Sequence, residues 1–355
     1  MKYHNPIITG FHPDPSVCRV GNDFYLVNSS FEYFPGIPIY HSTDLTHWEQ
    51  IGHVLDRKNQ LKLVSGAPNC LGIYAPTIRY HEGIFYCIVT NVGGRSGGNF
   101  FVYTTDPYGR WSNPVKLPFA GIDPSLFFDE DGRIYYTGTD TGIYIAEITF
   151  DVVRNDTPKR NELPVSIQNV KCGEKHYIWN GSGGNNPEGP HLYRIHDMYY
   201  LMIAEGGTEY CHMVTIARSK NVYGPYEACP HNPVLSNRST CLNIKAIGHA
   251  DLVEDSQGSW WAVCLGIRPL GYPFRHNLGR ETMLAPVKWE NGWPVMGDNG
   301  TVTETFEVET APGKKTRKSD FYIPGSNMTD TFCSNKLHPS WNTIYTPVSK
   351  FVKPT

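Results

Sequence analysis

In five copies of one pattern the matching place holds Asp14 in "HPDPS", Ala75 in "GIYAP", Asp123 in "GIDPS", Gly189 in "PEGPH" and His249 in "IGHAD". In the fourth copy Glu188 stands one position before the aligned Gly189, with a longer side chain. Copies of one unit arranged about an axis bring equivalent positions together, so residues far apart in the chain converge. Three acids in one place repel one another, and at least one should keep its proton. One ionised and one protonated carboxyl across a small gap suit glycosidic bond hydrolysis. The acid protonates the leaving oxygen while the other group works at the anomeric carbon. A gathering of hard oxygens equally suits Ca2+, and a hydrogen-bonded polar plug is a third use. Residue types alone leave all three open.

Asp14 lies between Pro13 and Pro15. Proline fixes its own φ and biases the preceding residue away from helical geometry, so the expectation here is a straight, rigid carboxylate at the start of a strand.

The elements that position these groups are written five times. "DPSVCRVGNDFYLV", "APTIRYHEGIFYCIV", "DPSLFFDEDGRIYYTG", "GPHLYRIHDMYYLMIA" and "HADLVEDSQGSWWAVC" each run from apolar alternation through a polar turn into an aromatic strand. That is a hairpin. Four of the five lead into a second polar turn carrying an aromatic, and the third has the shorter "GIYIAEITFDVV". Two hairpins make four strands, and five such units at roughly 50 to 65 residues spacing predict an all-β, five-bladed β-propeller. A two-sheet sandwich has no reason to repeat one motif five times.

Composition narrows the partners. The 355 residues carry Lys+Arg 31 against Asp+Glu 34, a net charge of −3. With no basic stripe, nucleic acid is not expected as a partner. The richest apolar run, "WWAVCLGI", is far short of the ~20 residues that span a bilayer, so no membrane is expected either. The nine cysteines form no C-x-x-C pair, which speaks against a zinc or redox motif. Several fall in strand-like runs, as small buried apolar residues would. The opening "MKYHNPIITGFHPDP" has no apolar signal region, and the expected location is cytoplasmic. Six N-x-S/T sequons, at Asn28, Asn155, Asn180, Asn237, Asn299 and Asn327, point the other way, to secretion.

The five motif-bearing stretches, in order and from about residue 5 to 300, resemble glycoside hydrolase family 43, in its β-xylosidase and α-L-arabinofuranosidase branch. The resemblance implies an inverting hydrolase on a five-bladed propeller. Its motifs make Asp14 the general base that activates water, Glu188 the general acid, and Asp123 a residue that raises the pKa of Glu188 and orients the sugar. Inversion needs the two carboxyls ~6.5–9.5 Å apart so that a water fits. By the same likeness Arg280 in "LGRET" contacts the sugar and balances the carboxylates, while Phe31 in "SSFEYFPG" and Tyr74 in "GIYAP" wall the pocket. The family often has Trp at the Tyr74 position, so the platform here is smaller. Glu205 in "IAEGGTE" is a further candidate for a polar contact to sugar. His249 matches a histidine associated with a channel metal, and calcium is the implied cofactor.

The implied activity is release of xylose from the non-reducing ends of xylo-oligosaccharides or arabinoxylan-derived substrates, with arabinofuranosidase activity beside it. The alternative is a sugar-binding propeller with little or no catalysis. Propeller patterning over 1–300 ends before an extension, 301–355, in which "DTFCSNKLHPSWNTIYTP" looks like the opening strand of the β-sandwich that many members carry. The oligomeric state is not legible.

Overall fold

The computed structural model describes residues 1–93, 97–159, 161–309, 330, 332, 337–347 and 350. Five antiparallel sheets follow one another along the chain. The innermost strands are Ser16–Val20, Thr77–His81, Ile122–Phe128, Glu188–Ile195 and Lys245–Glu254. Each touches the next and the fifth touches the first, which closes a ring of five blades. Within a blade the chain steps outward; blade one runs Ser16–Val20, Asp23–Val27, Gly36–Ser42 and Glu49–Leu55. No α-helix occurs among the described residues.

Turn chemistry explains why the hairpins close where they do. Two-residue turns that match strand twist need positive φ at both central positions. Glu82-Gly83, His196-Asp197 and Asn291-Gly292 all have it, and each joins strands in direct register. Blade three departs from the short pattern expected of it. Its third strand, Ile143–Arg154, pairs with both Val165–Cys172 and His176–Trp179.

Blades stack face to face, so a middle strand such as Ile84–Val92 is buried on both sides and reads as a continuous apolar run rather than an alternating one. The core is accordingly divided into wedges between blades. One holds Val27, Ile39, Cys87 and Val102, and another Val17, Phe24, Trp261 and Leu284. The eight described cysteines are all free thiols, and Cys18, Cys87, Cys229 and Cys264 are buried. Cys333 and Asn327 lie outside the described residues. Two sequons serve the fold instead of a glycan: Asn28 and Asn237 are fully buried. Asn237 is bonded to the backbone of Ile244 and Val302.

The N-terminus reaches the last blade. Lys2–His4 pairs with Thr305–Glu307, and Ile8 bridges Thr282. Of the extension, Thr343–Ile344 pairs with Tyr33–Phe34 and Tyr345 Oη donates to Ala67 O at 3.0 Å, so this stretch lies against blade one. Residues 310–329, which belong to the extension beyond the propeller pattern, lie outside the described residues.

Candidate active site

The aligned positions do converge, by a backbone device the sequence did not disclose. Asp14 has φ +52, Asp123 +54, Gly189 +59 and His249 +47. The straight Asp14 expected from its prolines is therefore corrected: the residue is left-handed. A following proline disfavours the right-handed helical region, and the left-handed turn throws the side chain inward from the head of the innermost strand. Non-glycine residues held there store roughly 1–3 kcal/mol each, and Asp is among the residues that tolerate it. Surrounding bonds hold Asp14 in place. Asn28 Nδ2 donates to the carbonyls of His12 and Pro13, both at 3.0 Å. Ser29 Oγ donates to Asp14 Oδ2 at 2.5 Å.

Asp14 is buried and faces two cationic or potentially cationic groups. Arg280 Nη1 donates to Oδ1 at 3.0 Å, and His249 Nδ1 lies 4.0 Å from the same oxygen. Burial pushes its pKa up, but Arg280, His249 and the Ser29 hydroxyl outweigh that and hold it below the ordinary value. Glu188 goes the other way. Burial and the negative charge of Asp14 raise it to about 7, against the pull of Arg280. Asp123 is also raised well above normal, by burial first and by Glu188 and Asp14 after it, although Gly189 N donates to its Oδ2 at 3.1 Å. Asp123 and Glu188 thus titrate as a pair that retains a proton. Burial first, and then the fixed charge of Asp14, keep a proton on this pair, and Asp123 and Glu188 share it.

The walls are aromatic. Phe31 and Tyr74 meet with centroids 5.2 Å apart, and the Arg280 guanidinium lies 5.3 Å over the Phe31 ring. Phe31 is fixed from behind by a bridge to Ile73. Gly72, at φ +110, must be glycine there, since a Cβ would sit 2.2 Å from the Phe31 carbonyl oxygen. Tyr74 is half-buried and lies within electrostatic reach of Asp123 and Asp14. Arg280 also donates to Thr208 Oγ1 at 2.9 Å.

Two expectations fare differently. Glu205 does not line the mouth. It is fully buried, its Oε1 accepts the Ser182 N–H at 2.7 Å, and a Cβ on Gly181 or Gly184 would collide with it. It props the 181–184 loop that leads to Glu188, and a carboxylate so enclosed cannot touch a sugar. For calcium, the donor set around His249 is a poor match. Ca2+ takes six to eight oxygens, and no group of three or more His, Cys, Asp or Glu among the described residues is arranged to hold a metal. The ring of His249 instead lies 3.0–3.3 Å from where a Cβ on Gly189 would fall, so it packs against the strand that carries Glu188. No catalytic step is routed through a metal here.

Sequence reasoning missed Ser29, Thr208 and His212. His212 is fully buried, with Nε2 3.8 Å from Glu188 Oε1. The first two could have been suspected from their places beside "NSSF" and "EGGTE". Nothing in the local sequence marks His212.

Fold and site together define a class: a five-bladed propeller whose axial mouth gathers carboxyls of opposite proton preference under an aromatic wall. Residues 3–294 match the model of glycosyl hydrolases family 43, and the chain belongs to that family. It is 46% identical over 99% of its length to the non-reducing end alpha-L-arabinofuranosidase BoGH43B of Bacteroides ovatus, covering 65% of that protein. It is also 46% identical over 86% of its length to a xylosidase/arabinosidase of Butyrivibrio fibrisolvens, covering 59% of it. A solved structure described as Bacteroides ovatus Xyloglucan PUL GH43B superposes at TM-score 0.86, with 43% identity over 100% of this chain and 66% of that one. The chain thus spans under two thirds of the length of these curated relatives.

Proposed function

We propose that this chain is an exo-acting, inverting glycoside hydrolase that releases xylose from the non-reducing ends of xylo-oligosaccharides. The observation that carries the reading is the opposed proton preference of two buried carboxyls at one mouth: Asp14 held low, Glu188 raised to about 7. Near neutral pH an ionised Asp14 takes a proton from water, and a protonated Glu188 gives its own to the leaving oxygen. The water oxygen bonds the anomeric carbon as the glycosidic bond breaks, and the configuration inverts. Asp123 shares the proton balance of Glu188 and offers a carboxyl to the sugar hydroxyls. Arg280 orients Asp14 and reaches across to Phe31, whose face with that of Tyr74 receives the sugar ring. Family membership supports this assignment, as does 38% identity to a beta-xylosidase of Bacillus subtilis.

A second substrate class, α-L-arabinofuranosides, is favoured by the names of two similar relatives, the B. ovatus arabinofuranosidase and the B. fibrisolvens xylosidase/arabinosidase. Hydrolysis of aryl β-xyloside and aryl α-L-arabinofuranoside measures the balance between the two. Turnover of at least one is expected, and sugar binding without turnover of either would establish the binding-module alternative. Proton NMR of the first product distinguishes the mechanism. α-Xylose from a β-xyloside is expected, and β-xylose as first product refutes inversion.

A further inference from the structure

Blade four brings to the acid a histidine that this scheme leaves idle. His212 directly precedes the strand Met213–Ser219, which is the blade's third. Its side chain is fully buried, and Nε2 stands 3.8 Å from Glu188 Oε1. Room for the ring is specific. Gly248, on the innermost strand of blade five, is the residue beneath it, and a Cβ there would lie 2.4 Å from the imidazole. Neither ring nitrogen makes a formed hydrogen bond, although the Ala246 backbone lies within polar reach of the ring. Buried polar atoms without partners are rare, and one aimed at a titrating carboxyl points to a state in which the two meet.

The ring is neutral, since burial and the neighbouring His249 hold its pKa down to about 3. A neutral imidazole has one N–H and one lone pair. A backbone carbonyl only accepts, so an N–H on Nδ1 leaves the lone pair on Nε2, the nitrogen nearest Glu188. The other groups that face Glu188 are Asp14, Asp123 and Arg280. Asp14 is ionised, Asp123 shares the proton balance, and Arg280 is already bonded to Asp14 and Thr208. Around the ring itself stand His249, Asp14 and Arg280. None of them hydrogen-bonds Nε2, and the Glu188 carboxyl 3.8 Å away is the group whose acid form can donate to it.

We propose that His212 is a positioning residue for Glu188: its bare Nε2 accepts a hydrogen bond from the carboxylic acid and holds the proton-bearing oxygen ready for the leaving group. In turnover the O–H bond of Glu188 breaks as an O–H bond to the leaving oxygen forms, and His212 neither gains nor loses a proton. This rests on the assignment of Glu188 as the acid. It deepens that assignment by naming what orients the proton.

The test compares His212→Phe, which keeps the volume and removes the nitrogen, with His212→Gln, whose amide oxygen falls near the place of Nε2. Two readouts are taken. One is kcat/KM on aryl glycosides with a good and a poor leaving group. The other is the titration of the Glu188 carboxyl itself, followed by carbon-13 NMR of labelled glutamate. In the phenylalanine variant the poor leaving group should slow by about 10-fold and the good one by less than about 2-fold, because only the poor one needs a well-placed acid. The Glu188 midpoint should fall by roughly half to one unit, the worth of one hydrogen bond to the protonated form. A merely apolar replacement would move it up. The glutamine variant should regain most of both. An unmoved or raised midpoint in the phenylalanine variant overturns the proposal, whatever the rates. A lowered midpoint in a protein that turns over neither substrate upholds the His212 contact and fails the enzymatic reading instead. If His212→Phe does not fold, His212→Leu against His212→Gln carries the same comparison.

Discussion

Glu188 carries opposite consequences for activity and stability, and both follow from its raised pKa. In the proposed acid role the protonated form of Glu188 is the useful one, so the alkaline limb of kcat/KM should have its midpoint near pH 7. For folding, a carboxyl whose folded value lies above its unfolded one binds more protons folded than unfolded. Its stabilising share is fully present below about pH 4.5, the ordinary value, and is lost as pH rises towards 7. Glu188→Gln should therefore lower kcat at least ~100-fold on a substrate with a poor leaving group. The same change should stabilise the fold above pH 7 by about 3 kcal/mol, seen as a higher thermal midpoint, and leave it unchanged below pH 4.5. Melting curves at pH 4 and pH 8 check the second half. A variant no more stable than the parent at pH 8 would mean that the carboxyl is not strained by its burial.

The turn that presents Asp14 is an element shared by four blades, and its left-handed residue separates backbone strain from side-chain chemistry. Asp14→Ala removes the carboxylate and leaves a β-carbon at φ +52. Asp14→Gly removes both. The glycine variant should be more stable than the alanine variant by about 1 kcal/mol, with both equally inactive. Urea midpoints compare them, and equal stability would show that the turn relaxes once Pro13 and Pro15 lose their charged neighbour. The same element marks how far the sequence could be read. The five hairpins were legible because turn residues and apolar alternation are local signals, and so was the convergence of Asp14, Asp123 and Glu188, because a repeat fixes equivalent positions. The inward turn was not. The prolines of "HPDPS" predict extended geometry, whereas bonds from Asn28, Ser29 and Arg280, which sequence cannot show as neighbours, set the φ. Glu205 failed for a related reason. Its strand alternation places it correctly at the end of Met198–Glu205, but only the 181–184 loop folding over it reveals that it is covered. His212 was invisible because its partner, Gly248, is a residue with no side chain to signal contact.

At the scale of the whole ring, one buried polar network ties all five blades together away from the proposed chemistry. Asp251 of blade five receives Arg79 of blade two at 2.7 and 3.1 Å, Ser16 of blade one at 2.6 Å and Tyr193 of blade four at 2.6 Å. Arg79 Nη2 reaches His191 Nδ1 of blade four at 3.0 Å, and the same nitrogen meets Ser125 Oγ of blade three at 3.2 Å. Asp251 is fully buried, so its charge has no water to fall back on, while Arg79 keeps 15% of its side chain exposed. Removing one alone strands the other. Asp251→Asn or Arg79→Met should each lower stability by about 3–5 kcal/mol, while Arg79→Met combined with Asp251→Leu should recover much of that loss. The acid response gives an independent reading. Burial pushes the Asp251 carboxyl up, but Arg79, His191 and the Ser16 hydroxyl outweigh it and hold it far below its ordinary value, so its contribution is present above about pH 4 and drains away as pH falls further. In urea unfolding between pH 3 and pH 7, the parent should weaken steeply at the acid end and Asp251→Asn should be flatter there. If the two curves run parallel, the network does not bind the ring electrostatically, and closure rests on the apolar wedges, the Lys2–His4 to Thr305–Glu307 pairing and the Ile8–Thr282 and Arg280–Asp14 contacts.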